Sequence, residues 1–173
     1  MTLITASKGQ TVLESVSYEN TGELPVSVAD MNVWTKASGQ DGEIDALIKE
    51  TVDIAENEFN LTIIDKTVTA VYSSYGQVIS LPFAPVKSIT SAQVDGDDVE
   101  YTQAGRMLKF ASFGTGTLTV IYTAGHTTLP QGLKLAVKKA VLSAFEDRQD
   151  SVLNGVGKMP NHSRAIFKKY KNY

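Results

Sequence analysis

Leu81-Pro82-Phe83-Ala84-Pro85-Val86 divides this chain into regions of different periodicity. Pro82 and Pro85 cannot donate to a β-ladder, so the stretch must lie at a sheet edge or at a crossing between sheets. Upstream, beyond a first strand candidate, lie two helical patterns. Downstream, a run of short strand patterns ends at Thr123-Ala124-Gly125 and gives way to one long amphipathic helix. That order predicts an α+β fold with two N-terminal helices, an antiparallel β block, a long third helix and an extended basic C-terminal tail.

The first helix is expected over residues 27–36. Ser27 with Asp30 three residues later approaches a capping box, and Val28, Met31, Val33 and Trp34 are read as its apolar face. Ser38-Gly39-Gln40-Asp41-Gly42 is a turn. The second helix, 42–60, carries Ile44, Leu47, Ile48, Val52, Ala55 and Phe59 at close to a 3.6-residue period. Asp41, Glu43 and Asp45 fall where the helix dipole favours negative charge. The third helix, 130–150, opens on Pro130 and places Leu133, Val137, Ala140, Val141, Ala144 and Phe145 on one side.

Between them the period falls to two, giving a β block over 61–123. Strand candidates run over 62–73, 77–81, 86–94, 99–102, 106–110 and 117–122, rich in β-branched and aromatic residues. Asp95-Gly96-Asp97-Asp98 and Gly105 read as hairpin turns. Residues 1–24 read as a polar extended arm with an edge strand, residues 25–150 as the core domain, and 151–173 as the tail. Within the tail a short helix capped by Ser163 is a further possibility.

The charges are segregated. Seven acids against Lys49 alone stand between Asp41 and Glu58, whereas Leu153–Tyr173 holds five bases and no acid. In the third helix Lys134, Lys138 and Lys139 come early and Glu146, Asp147 and Asp150 late, opposing the dipole. An acidic surface on a neighbouring copy would offset that arrangement. One reading is a subunit contact that sets Glu50, Asp53 and Glu56 against Lys134, Lys138 and Lys139; chance placement of solvated surface charge is the other.

Composition excludes several classes. Hydrophobic residues at 42% and charged residues at 20% are ordinary globular values, and the net charge of −3 argues against a general nucleic-acid binder. No apolar run has bilayer-spanning length, and the N-terminus lacks a basic region followed by an apolar one, so neither a membrane anchor nor a secretory signal is expected. Without cysteine there is no disulfide or thiolate chemistry, and a reducing cytoplasm is the plainer compartment. His126 and His162 do not begin a metal-ligand spacing, and Asp95–Asp98 lacks the closing glutamate of a calcium loop. Nucleophile elbows and phosphate-binding loops are also missing, so no catalytic, cofactor or metal site is expected.

Leu24-Pro25-Val26-Ser27-Val28-Ala29-Asp30, followed by Asp45-Ala46-Leu47-Ile48, resembles the opening of the head–tail connector (adaptor, or head completion) proteins of tailed bacteriophages. Leu81-Pro82-Phe83-Ala84-Pro85-Val86-Lys87-Ser88-Ile89 is similar to that family's Leu-Pro-x-x-Pro-Leu/Val-x-Ser-Val segment. Val120-Ile121-Tyr122-Thr123-Ala124-Gly125, then Pro130, Leu133-Lys134, Ala136 and Ala140, matches its last strand and third helix. Glu146-Asp147-Arg148 stands where the family often has Glu-Asn-Arg-Glu, but Gln149 replaces the final acid and removes any ion pair built on it. The resemblance covers residues 24–150.

It implies a structural virion protein of the phage neck, assembled in the host cytoplasm. Copies would form a ring, commonly of twelve, on the portal of the filled capsid. The ring would extend the DNA channel without reading sequence, and would receive the next neck, stopper or tail protein. The C-terminal segment would dock on the portal, here through Arg164, Phe167, Lys168, Lys169, Tyr170 and Tyr173. A mainly β stopper or tail-completion protein is the alternative within that class, and a small nucleic-acid-binding module using the basic aromatic tail is the alternative outside it.

Overall fold

The computed structural model describes residues 11–150 and 161–170, for 148–150 by backbone only. Chain order is β1 (Val12–Asn20), α1 (Val28–Thr35), α2 (Asp41–Phe59), β2 (Lys66–Ser74), β3 (Val78–Ser80), β4 (Val86–Val94), β5 (Asp97–Asp98), β6 (Tyr101–Ala104), β7 (Met107–Phe110), β8 (Leu118–Ala124), α3 (Gln131–Asp150) and α4 (Asn161–Tyr170). These elements form two units. A sheet unit takes the chain up to Thr21 and Asp65–Gly125; a helical unit takes Gly22–Ile64 and the chain from His126 onward. The α+β class holds.

In the sheet unit, five strands run in the order β1-β2-β8-β4-β5 and three more in the order β3-β7-β6, with every pairing antiparallel. Leu81–Pro85 carries the chain from β3 in the small sheet to β4 in the large one, so the two prolines stand at a sheet crossing. The Asp95-Gly96 turn has φ of 52 and 96 at its two central residues, the mirror-image geometry that suits tight hairpins, and it joins Val94 to Asp97. Gly105 at φ 59 turns Ala104 back onto Met107. The core alternates along β8, where Leu118, Val120, Tyr122 and Ala124 are buried.

The N-terminal arm is more structured than its polarity suggests. Val12–Asn20 forms a nine-residue edge strand in register with β2 from Val12↔Ser74 to Asn20↔Lys66. Only Val16 is partly covered, so the strand is held by its ladder and by clasps at its end. Lys66, 3% exposed, donates to Asn20 Oδ1 at 2.8 Å, and its ammonium lies 4.6 Å from the Tyr18 ring centroid. Tyr18 meets Phe83 edge-on at 5.1 Å.

Two buried tyrosines make this unit sensitive to alkali. Burial pushes the Tyr72 hydroxyl from 10.0 up to about 12. Burial does the same to Tyr122, opposed by the Phe83 N–H that donates to its oxygen at 3.0 Å and reinforced by Tyr72. The folded state therefore holds these protons more tightly than the unfolded chain. Their contribution to stability is complete below pH 10.0 and is lost as pH rises towards about 12. A tyrosinate absorbance titration should show these two ionising late, with the sheet unfolding over the same window. Ionisation of every tyrosine near 10.0 with the fold intact would contradict this.

In the helical unit Ser27 caps α1, its hydroxyl accepting from Asp30 N–H at 3.0 Å. α2 buries Ile44, Leu47, Ile48, Thr51, Val52, Ala55 and Phe59. Leu133, Ala136, Val137, Val141 and Phe145 of α3 pack in the same core. Over its described part the tail is a helix, Asn161–Tyr170, which agrees with the short-helix reading and corrects the extended one. Ser163 is a buried residue inside it and not its cap. Its spacing explains the difference, since Ser163, Ile166, Phe167 and Tyr170 fall on one side at helical intervals. Residues 1–10, 151–160 and 171–173 lie outside the described residues.

Candidate functional site

Because α2 and α3 turn their apolar stripes to one core, their charges are left on outward faces. Glu50 and Asp53 of α2 are exposed. Glu56 is not a surface acid of the same kind. Its carboxylate accepts from the backbone N–H groups of Ile63 at 2.6 Å and Ile64 at 2.9 Å, holding the chain as it leaves the helix. Asn60 in the left-handed conformation makes that reversal, and the loop that follows sends Leu61 and Ile63 into the helical core. This is why β2 begins at Lys66 and not at Thr62. Elsewhere on α2, Lys49 pairs with Asp45 at 2.6 Å, four residues apart.

The three lysines of α3 also separate by role. Lys138 lies 3.5 Å from Asp30 Oδ2 and 5.6 Å from the Trp34 ring centroid, so α1 engages it within the same unit. Lys134 and Lys139 are partly buried and make no ion pair with the described residues. The structure thus leaves Glu50 and Asp53 exposed and Lys134 and Lys139 half-buried, while Lys138 pairs with α1 and Glu56 holds the loop after α2.

The tail residues divide in the same way. Arg164 pairs with Glu58 of α2. Phe167 is fully buried and stacks on Phe59 with centroids 5.5 Å apart and an interplanar angle of 21°. Tyr170 is half-buried, and its hydroxyl stands 2.5 Å from where a side chain at Gly132 would begin, so a glycine there lets α4 approach α3. Lys168 and Lys169 are exposed in the last turn, where the dipole favours cations. Tyr173 lies outside the described residues.

α1 supplies a surface that the sequence reading placed on the wrong side. Met31 is fully buried, but Val33 is 78% exposed and Trp34 37%. Residues two apart in a helix do not share a face, so Val33 could not accompany Met31 into the core. That spacing was the available signal. Leu135 of α3 is also exposed, at 39%.

Among the described residues no group of three or more His, Cys, Asp or Glu could hold a metal ion, and no helix is long and apolar enough to cross a membrane. The Asp95–Asp98 carboxylates serve the hairpin: Asp95 accepts from Thr117 N–H at 2.9 Å and Asp98 from Gln93 at 2.9 Å.

The family model described as HCP, Head completion protein, matches residues 26–173. Among solved structures, a chain from the neck of an empty gene transfer agent (GTA) particle computed with C6 symmetry superposes with a TM-score of 0.68 at 16% identity, covering 89% of this chain and 94% of that one. A chain from the virion of the native GTA particle gives 0.66 at 16% identity, covering 88% and 94%. One from the native GTA neck computed with C12 symmetry gives 0.60 at 15%, covering 89% and 94%. At these identities the likeness is one of fold. No curated protein matches the chain.

Proposed function

The chain belongs to the head completion protein family, and from that premise we propose that it is a structural head-to-tail connector of a tailed phage or phage-like particle. The family match over residues 26–173 is the observation that carries this reading. The role is structural and not catalytic. Copies form a ring on the portal of the filled capsid, in the virion neck. That ring extends the channel through which DNA passes and offers a docking surface to the next neck or tail protein. Twelve copies is the stoichiometry we propose, in keeping with fold relatives in a neck computed with C12 symmetry.

Two features of the helical unit support a ring. Its acidic face on α2 and its basic face on α3 are different surfaces of one subunit, as a closed head-to-tail assembly requires. The 19-residue α2 and 20-residue α3 also favour an adaptor over a mainly β stopper. Burial of Phe167 removes one ring from the basic aromatic tail that a nucleic-acid module would use. For portal docking the tail offers Lys168 and Lys169, with Tyr170 at their edge and Tyr173 beyond.

Native mass measurement of the chain mixed with cognate portal oligomers tests the proposal. A discrete complex with about twelve copies is expected; a monomer that binds neither portal nor tail protein would overturn it. Reversal of the two half-buried cations, Lys134→Glu with Lys139→Glu, is expected to reduce ring formation at least about tenfold, more so at low salt. Unchanged assembly of that variant would show that charge pairing does not set the subunit contact.

A further inference from the structure

Helix α1 has apolar side chains on both of its sides, yet only one side is covered by its own chain. Met31 points into the core, Val33 stands in solvent at 78% exposure, and Trp34 is left 37% exposed at the flank between them. The Trp34 ring is set over Lys138, which Asp30 also holds. Lys138 is one helical turn from both Leu135 and Lys134, so the lysine under the indole shares its side of α3 with an exposed leucine and with a cation that makes no ion pair among the described residues. Isolated exposed apolar residues are ordinary. A tryptophan held over a lysine, with exposed Val33 next to it on α1 and exposed Leu135 one turn from that lysine on α3, has the make-up of an interface hot spot.

The charge of this face selects its occupant. Lys134 lies in the first turn of α3, where a cation opposes the helix dipole, so an anion from outside the chain would offset that cost. The same unit carries such a surface elsewhere. On α2, Glu43, Ala46, Glu50 and Asp53 are exposed at spacings of three and four, forming an acidic stripe with one small residue in it. We infer that the Trp34–Val33–Leu135 face is the apolar centre of the subunit contact, and that its occupant is the acidic outward face of α2 in a second copy of this chain. Ala46 leaves room for a bulky side chain between the carboxylates, which meet the lysine rim. This rests on the ring reading above and adds to it the anchor that makes the contact specific, since charge pairs at a rim steer association more than they hold it.

Trp34 is the only tryptophan of the chain, so its fluorescence reports on this face alone. In the isolated protein, emission should be that of a partly hydrated indole and readily quenched by acrylamide. In rings assembled on cognate portal, taken as the difference between wild-type and Trp34→Phe complexes, it should shift to the blue and lose most of its quenching. Trp34→Ala should lower ring yield at least about tenfold, with Trp34→Phe close to wild type. Shielding of Trp34 already in the isolated chain would mean that its own residues cover it, and would overturn the inference. Exposure that persists in the ring, or a Trp34→Ala variant that assembles normally, would do the same. If Lys134→Glu with Lys139→Glu abolishes the ring while Trp34→Ala does not, this inference fails and the ring stands. If the wild-type chain forms no ring at all, both fail. Should Trp34→Ala not fold, quenching of the wild-type protein decides.

Discussion

Phe167→Ala lowers the unfolding free energy of the helical unit by about 3–5 kcal/mol. The ring is fully buried, stacks on Phe59, and sits in one core with Leu133, Val137 and Val141. Removing it deletes apolar surface and leaves a cavity between helices that belong to distant parts of the chain. It also loosens α4, whose attachment otherwise rests on Tyr170, Ile166 and the Arg164–Glu58 pair. The measurement is urea unfolding followed by far-ultraviolet circular dichroism. A loss under about 1 kcal/mol would show that α4 is a peripheral appendage, outside the range for buried aromatic truncation. The same burial changes how the tail must be tested as a portal anchor. Truncation after Asn161 removes Phe167 and Ser163 from the core, so lost docking in that variant would report unfolding as much as lost contact. Lys168→Glu with Lys169→Glu probes the anchor without that ambiguity, because both side chains are exposed.

What the sequence disclosed, and what it hid, follows from which forces are local. The helices α2 and α3 were legible because their apolar stripes persist over many turns, and the Asp95-Gly96 and Gly105 turns because few residues tolerate positive φ. The proline-bracketed stretch announced a crossing because a missing N–H is a property of the residue itself. β1 was only half legible. Its residues bury almost nothing, and its order comes from a ladder with β2 more than forty positions away, as in Val16↔Ala70. The roles of charged residues were least legible. Periodicity puts Glu56 only at the flank of the apolar stripe, between Val52 and Phe59, and does not reveal a partly buried role. Only the loop after α2 brings two backbone N–H groups to the carboxylate of Glu56. Lys138 likewise became an internal partner of α1 through a tertiary contact that spacing within α3 could not show. Phe167 had a signal, the four-residue interval from Ser163, but its basic surroundings suggested a free tail. A helix with apolar residues on one face and lysines on the other satisfies both observations.

Gly125→Ala should destabilise the sheet unit by roughly 2–6 kcal/mol, combining backbone strain with overpacking. Gly125 follows β8 at φ 141, a conformation that residues with a Cβ rarely adopt. Its N–H donates to Pro85 O at 2.8 Å, which fixes the end of β8 against the start of β4, so the backbone is not free to relax to negative φ without losing that bond. A Cβ placed there would lie 2.0 Å from Asp65 Oδ1 and 3.1 Å from Asp65 Cα. The carboxylate could swing away only by giving up its ion pair with Lys87. The backbone of Asp65 is no freer, because its carbonyl accepts from Thr21 N–H at 2.8 Å and so holds the segment after β1 beside β2. Each route of relief therefore breaks a bond that joins one strand to another. Asp65→Gly in the same background removes the obstructing carboxylate but leaves the φ, and should recover only the overpacking share, about 1–3 kcal/mol. Thermal unfolding of the single and double variants separates the two causes. Full recovery in the double variant would show that the clash with Asp65 alone requires glycine, and no recovery that the backbone conformation does.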